Sequence, residues 1–339
     1  MQPQSLFLLD ERSQVGNARR AATEQAETLG FDSEQAGKVG LAVTECASNV
    51  LKHAGTGRLL LGPIHSHGID GIEIIALDKG PGIADVPASL RDGHSTSGTL
   101  GGGLGALSRM SQGFEIFTQP GRGTAVRLEL WAKPVPDRTP PIELGGICIP
   151  MRGETVCGDA WAVEAWRDQL AVLVADGLGH GISANEAARA ATDTFAANPR
   201  SEPHDIIKAC HASLAVTRGA AVAVARIVSC AERGSFAGVG NIVCRVEASP
   251  AHRHLVSYNG TVGHTLRKLQ EFAFPWPVGS LLVLHSDGLG TQWDLSTYPG
   301  LASRHPALIA AVLYRDYDRG RDDVTVVVIR NRGGSPEAP

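Results

Sequence analysis

Apolar positions along the 339-residue chain fall into two textures. In the first third they recur at helical spacing. Val39, Val43, Cys46 and Val50 occupy i, i+4, i+7 and i+11 of Ser33–Ala54, which predicts a long amphipathic helix that Asp32 or Ser33 can cap. A second helix is expected over 15–29, and alternating or continuous apolar runs predict strands at 58–61, 71–77, 114–118 and Gly123–Trp131. A glycine-dense stretch, 98–105, lies between the second and third of these strands. Helix, helix, strand, strand, glycine loop, strand, strand is the order of an α/β layered sandwich.

The texture changes after KPVPDRTPP (133–141), where four prolines in nine residues end both helix and central strand. This places a first domain at 1–133, a linker at 134–141, a second domain at 142–332 and a tail at 333–339. In the second domain, strands end in acid-glycine pairs: LAVLVADG (170–177) and SLLVLHSDG (280–288). AAVAVARIVS (220–229) and DDVTVVVIR (322–330) add two more apolar strands, and helices fit Ile182–Ala197 and 204–216. Many strands with few helices predict a two-sheet core flanked by helices.

Composition narrows the function classes. Hydrophobic residues at 43% and charged residues at 19% exclude a mainly disordered chain. The net charge of −4 is split evenly between the halves, so neither carries the basic excess that a nucleic-acid partner requires. The six cysteines form no C-x-x-C pair and several lie in apolar runs, which favours buried reduced thiols over a zinc site. The N-terminus meets an acid before any long apolar core, and no run approaches the ~20 residues of a membrane span. The expectation is a soluble cytoplasmic protein with no membrane partner.

Two constellations carry chemistry. In the first half, Glu45 and Asn49 are four apart on one helix face, where the amide oxygen suits Mg²⁺ and the carboxylate can orient or deprotonate a nucleophile. IIALDKGPGI (74–83) is a strand ending in Asp78, followed by Gly80 and Gly82, which let a planar base approach the backbone. SGTLGGGLGALSRM (97–110) is a glycine-rich turn entering a helix, a phosphate-holding arrangement, and GRGTAV (121–126) sets Thr124 at a strand start. Each piece alone also reads as a solvated helix face, a turn or a loop. Their order, E-x-x-x-N, D-x-G-P-G, G-x-G-L-G, G-T, resembles the N, G1, G2 and G3 boxes of the GHKL (Bergerat) ATPase/kinase superfamily over about residues 10–131. The spacer DKGPGIADVPASLRDGHSTSGTLGGGLGALSRMSQGFEI is closer still to RsbT-type serine kinases, and no phosphoacceptor histidine box precedes the N box. The resemblance implies ATP as ligand, Asn49 on Mg²⁺, Glu45 as catalytic carboxylate and Asp78 on the adenine amine beside Gly80 and Gly82. It also implies Gly101, Gly103 and Gly105 as phosphate lid and Thr124 near the base. Lys52 and His53, on the same stretch of helix, read as structural or phosphate-adjacent.

In the second half, Asp159 (CGDAW), Asp176 (ADGLGHG), Asp287 (HSDGLG) and Asp323 (RDDVTVV) each abut apolar runs. One D-G pair is a turn; four acids at the ends of buried strands repel one another unless a cation neutralises them. Oxygen ligands without His/Cys pairs point to Mg²⁺ or Mn²⁺. The pattern over about 142–330 resembles the SpoIIE/RsbX branch of PPM-type metal-dependent serine/threonine phosphatases, an α-β-β-α sandwich. The resemblance implies a binuclear centre with Asp176 bridging, the Gly177 carbonyl on one ion, Asp287 and Asp323 on the other, and Asp159 assisting. Metal-activated water would then attack phosphorus in line, with no covalent phosphoenzyme. Asp323 is preferred over its neighbour Asp322 because it aligns with the motif and adjacent strand residues face opposite ways. His180 and His285 flank the site as supporting groups.

Together the resemblances imply a bifunctional partner-switching, stressosome-like regulator. One domain would phosphorylate STAS-domain proteins (RsbS/RsbR-like or anti-anti-sigma-like) and the other would dephosphorylate them; a homodimer is compatible. The alternatives are a phosphatase with a non-catalytic nucleotide sensor, and an anti-sigma-type binding module.

Overall fold

The computed structural model describes residues 3–91, 103–136, 140–248 and 251–333. The chain divides into two compact units. One gathers Gln4–Arg138 together with Leu295–Arg304; the other is built from Thr139–Asp294 and His305–Pro339. Among the described residues no helix is long and apolar enough to cross a membrane.

The first unit runs β1 (Ser5–Leu9), α1 (Arg12–Thr28), α2 (Ser33–Ala54), β2 (Gly57–Ser66), β3 (Ile69–Asp78), α3 (Val86–Leu90), α4 (Gly103–Met110), β4 (Gly113–Gln119) and β5 (Gly123–Trp131). Its five strands form one antiparallel sheet in the order β1-β2-β3-β5-β4. Asp32 caps α2 reciprocally: its carboxylate accepts from Gln35 N, and the Gln35 side chain accepts from Asp32 N. The apolar stripe of α2 (Val39, Val43, Cys46, Val50) is buried with Ile72 and Ile74 of β3, the alanines of α1 and Leu107 of α4. Helices therefore cover one sheet face, as the period-3.6 pattern predicts.

Residues Leu295–Arg304 enter this unit from far along the chain. Tyr298 is 1% exposed, with its ring 6.3 Å from Phe117 of β4 and beneath the Arg122 guanidinium at 4.7 Å. Arg122 Nη1 and Gln119 Nε2 donate to the Thr297 carbonyl at 3.1 and 3.2 Å. The expected 142–332 block is thus interrupted by ten residues that cluster with the β4–β5 hairpin.

The second unit contains β6 (Ile142–Ile149), β7 (Asp159–Trp166), β8 (Gln169–Gly177), α5 (Ile182–Ala197), α6 (Pro203–Ser213), β9 (Ala220–Val228), β10 (Arg233–Val239), β11 (Val243–Ala248), β12 (Ala251–Leu255), β13 (Phe272–Pro275), β14 (Leu281–His285), α7 (Pro306–Tyr317) and β15 (Val324–Asn331). Two antiparallel sheets, β13-β10-β9-β8-β7 and β12-β11-β14-β15-β6, face each other across a core that includes Val172, Val174, Phe236, Leu282, Leu284 and Val327. The outer face of the first sheet packs on α5 and α6 through Leu173, Val222, Phe195 and Ile207. Helix α7 lies against β6 and β15, giving the α-β-β-α layering.

Replacing Tyr298 by Ala removes a buried ring and should cost about 3 kcal/mol of stability. Denaturant unfolding followed in the first unit is expected to shift to a lower midpoint; an unchanged midpoint would contradict the packing described.

Candidate functional site

The end of β3 is fixed by its own backbone. Asp78 Oδ1 accepts from Gly80 N at 2.8 Å and from Thr124 N at 3.2 Å, which joins the loop after β3 to the start of β5. Thr124 Oγ1 lies 3.1 Å from Thr118 Oγ1, and Thr118 Oγ1 in turn accepts from Ile83 N at 2.9 Å. A Cβ on Gly123 (φ +98°) would lie 2.0 Å from the Asp78 carbonyl, so the hairpin closes only on glycine. Gly80 sits against Ala54, the last residue of α2, and Gly82 against the Gln119 carbonyl. One turn or more back along α2, Glu45 and Asn49 are half-buried; among the described residues neither side chain forms a hydrogen bond or ion pair. Lys52 and His53 are exposed in the last turn, where positive charge favours the helix dipole.

Gly103, at φ +48°, opens α4, and Gly105 is buried in its first turn. Both therefore belong to a helix start anchored through Leu104, Leu107 and Met110 against the α2 core, rather than to a free loop. Gly101 lies outside the described residues.

In the second unit the four acids meet at one end of the sandwich. Asp159 and Asp176 are directly opposite on β7 and β8, so their side chains leave the same sheet face. Ser286 Oγ donates to Asp159 Oδ2 at 2.6 Å and accepts from Thr325 N at 2.9 Å, which links both sheets through one hydroxyl. Asn241 donates to Asp287 Oδ2. Asp323 accepts from Met151 N at 2.8 Å with Oδ1, while its Oδ2 is buried without a partner. Burial, then the charges of Asp159, Asp287, Asp322 and Asp323, push the Asp176 carboxyl up to about 9. Burial also raises Asp159, Asp322 and Asp323 above the usual carboxylate range.

The acid-glycine pairs are not ordinary turns. A Cβ on Gly177 would lie 2.1 Å from the Ala184 carbonyl of α5, and one on Gly288 would lie 2.0 Å from the Asp323 carbonyl. Neither glycine has a positive φ. Their missing side chains let α5 and the segment before β15 close onto the strand ends that carry Asp176 and Asp287.

An acid cluster with an orphaned buried oxygen and a carboxyl raised by burial and by four neighbouring carboxylates is the donor set a hard divalent cation fits. Among the described residues no three His, Cys, Asp or Glu side chains enclose an ion by themselves. Water and backbone oxygens, such as the Gly177 carbonyl, would have to complete any shell. His285 is no candidate ligand: it is 0% exposed, Trp293 Nε1 donates to its Nε2 at 3.1 Å and its Nδ1 is 2.8 Å from the Ser286 carbonyl. Burial lowers its pKa to about 4, so it stays neutral. His180 is exposed and pairs with Glu154 at 2.6 Å.

The histidine kinase-like ATPase domain family matches residues 8–130, and the stage II sporulation protein E family matches 167–332. Serine/threonine-protein kinase RsbT of Bacillus subtilis (strain 168) is 32% identical over 133 residues, which is 39% of this chain and 100% of RsbT. The chain belongs to the histidine kinase-like ATPase family of RsbT. Phosphoserine phosphatase RsbX of the same organism is 26% identical over 138 residues, 40% of this chain and 69% of RsbX. A solved chain from work on the bacterial stressosome as a modular system adapted to control secondary messenger signaling is 28% identical, with a TM-score of 0.53. It covers 56% of this chain and 99% of its own length. The RsbT-like kinase domain is thus fused to a SpoIIE-family, RsbX-like phosphatase domain.

One acid that the sequence ranks below its neighbour lies in the same cluster. Asp322 and Asp323 both precede β15, so strand alternation does not separate them, and both act on Asp176. Asp322 is half-buried and faces the Asp287 charge, whereas the Asp323 carboxylate is 2% exposed and held by Met151. The doubled acid before an apolar strand was the available signal.

A carboxyl raised from about 4 in the unfolded chain to about 9 in the fold resists ionisation in the native state. Across that window the unfolded state has lost the proton that the folded state keeps, so metal-free stability falls as pH rises. Thermal unfolding of chelator-treated protein is expected to show a lower Tm at pH 8.5 than at pH 5.5, with Mn²⁺ restoring it at pH 8.5. Asp176→Asn should flatten the pH slope and abolish the Mn²⁺ effect; an undiminished Mn²⁺ effect would remove Asp176 from the centre.

Proposed function

We propose that this protein is a bifunctional switch that phosphorylates and dephosphorylates serine or threonine on the same class of small STAS-domain protein. The observation that carries this reading is the presence, in one chain, of a kinase-like domain whose Glu45–Asn49 face is unpartnered among the described residues and a phosphatase domain with Asp176 crowded by four carboxylates. The matches to serine/threonine-protein kinase RsbT and phosphoserine phosphatase RsbX, whose activities oppose each other, support the pairing.

In the kinase-like domain, Asp78, held by Gly80 N and Thr124 N, is aligned to accept from an adenine amine. Asn49 would place its amide oxygen on Mg²⁺ of Mg-ATP, and Glu45 would take the proton of the attacking hydroxyl as the γ-phosphoryl group passes to the serine oxygen. In the phosphatase domain, the half-buried Asp176, Asp287 and Asp322 are the acids that would hold divalent cations, either Mg²⁺ or Mn²⁺. Asp159 and Asp323 back them from inside, positioned by Ser286 and Met151. A bound divalent ion supplies Lewis acidity and an ionised water for in-line attack at phosphorus. The chain's own residues then position the phosphate ester and keep the acids in register.

Two assays separate the activities. With Mg-ATP and a STAS-domain protein, Glu45→Ala and Asn49→Ala should each lower phosphotransfer by at least about 100-fold while leaving Mn²⁺-dependent phosphate release intact. Asp176→Asn should do the reverse, and Asp322→Asn should weaken Mn²⁺ dependence more than Asp323→Asn. Phosphate release that responds to ATP, with no phosphotransfer in wild type, would instead favour a nucleotide-sensing domain. Absence of both activities would refute the switch.

A further inference from the structure

Beside the acids, the phosphatase domain opens a cavity of about 310 Å³ whose walls include Leu178, Gly240, Asn241, Asn259 and Thr261. It is continuous with the acidic centre at two points. Asn241 donates to Asp287, and the cavity residue Ala221 is the register partner of Asp176 on β9. The lining offers amides and a hydroxyl but no charged side chain.

Beside the loop that follows Asp176 stands Arg218. It is exposed and, among the described residues, its guanidinium forms no ion pair or hydrogen bond. Nη1 lies 3.2 Å from where a Cβ on Gly179 would project, so the cation rests on the loop that follows Asp176. The next residue, Gly219, accepts from Leu178 N at 3.0 Å, and a Cβ on it would lie 2.7 Å from Thr261 Cγ2. The backbone next to Arg218 thus joins the loop after Asp176 to Thr261 of the cavity wall. The exposed apolar side chains of Leu178 and Ile182 border the same loop.

We propose that Arg218 binds the phosphoryl group of the substrate and that the cavity seats the polypeptide flanking the phosphorylated serine or threonine. The proposal rests on the phosphatase reading above and names the part of the site that sees the substrate. A crowd of carboxylates repels a phosphate dianion wherever cations do not fully neutralise it, and a guanidinium fork beside the loop that follows Asp176 offsets that repulsion with bidentate geometry. Neutral amides that both donate and accept match the peptide groups of an extended segment without demanding a particular side-chain charge. The recognised chemistry is a phosphomonoester on an uncharged, extended stretch of chain.

Three substitutions at two exposed positions test this with Mn²⁺-loaded full-length protein. The substrates are p-nitrophenyl phosphate and a ten-residue phosphoserine peptide with uncharged flanks. Arg218→Gln should raise KM for both about tenfold and weaken inhibition by inorganic phosphate by the same factor, the size expected for losing a charge-assisted hydrogen bond. Arg218→Lys should recover part of that loss. Asn259→Trp, which fills the cavity, should raise the peptide KM about tenfold more than the p-nitrophenyl phosphate KM, with kcat kept. An unchanged peptide KM in either variant, or a loss confined to kcat, overturns the proposal. Wild-type protein that hydrolyses neither substrate overturns the phosphatase reading, and the proposal with it.

Discussion

Like charges brought together in a poorly hydrated place are the constraint on which the second domain depends. Asp159, Asp176, Asp287, Asp322 and Asp323 converge where two sheets end, and ionising them all without a counter-charge is unfavourable. The fold nevertheless enforces the meeting. Glycines at 177 and 288 bring backbone onto the strand ends, Ser286 ties one sheet to the other through Asp159, and Met151 fixes Asp323. A fold that spends backbone and hydroxyl hydrogen bonds on holding carboxylates together is preorganised for a divalent cation, since little rearrangement remains for the binding step.

The first domain solves a different problem by different means. Its site is aligned by backbone amides and threonine hydroxyls around Asp78, with the close approach of Gly123 locking the hairpin. The hairpin is also gripped from its other side by Thr297 and Tyr298, residues that belong in sequence to the stretch after the Asp287 motif. A segment between two elements of the phosphatase fold thus completes the packing of the kinase-like unit.

Much of this was legible before any coordinates. The α2 stripe and its cap follow from period 3.6 and an Asp-x-x-Gln start, and the acid-glycine strand ends announce the acidic centre. What was missed has physical reasons. Helix α7 is buried almost throughout, so it shows no amphipathic stripe, and SLFLL of β1 is a short edge strand with no clean alternation. Strands β12 and β13, of five and four residues, fall below what periodicity can resolve. Of the two grounds for setting Asp323 before Asp322, strand alternation does not apply, because β15 begins only at Val324. The docking of Leu295–Arg304 on the first unit is a long-range contact that no local pattern encodes.

Calorimetric titration of Mn²⁺ into chelator-stripped protein at neutral pH, in two buffers of different ionisation enthalpy, tests the central claim most directly. If Asp176 holds a proton that the cation must displace, the binding enthalpy differs between the buffers, and the heat vanishes in Asp176→Asn. Binding with no buffer dependence, or undiminished in the variant, would contradict the account.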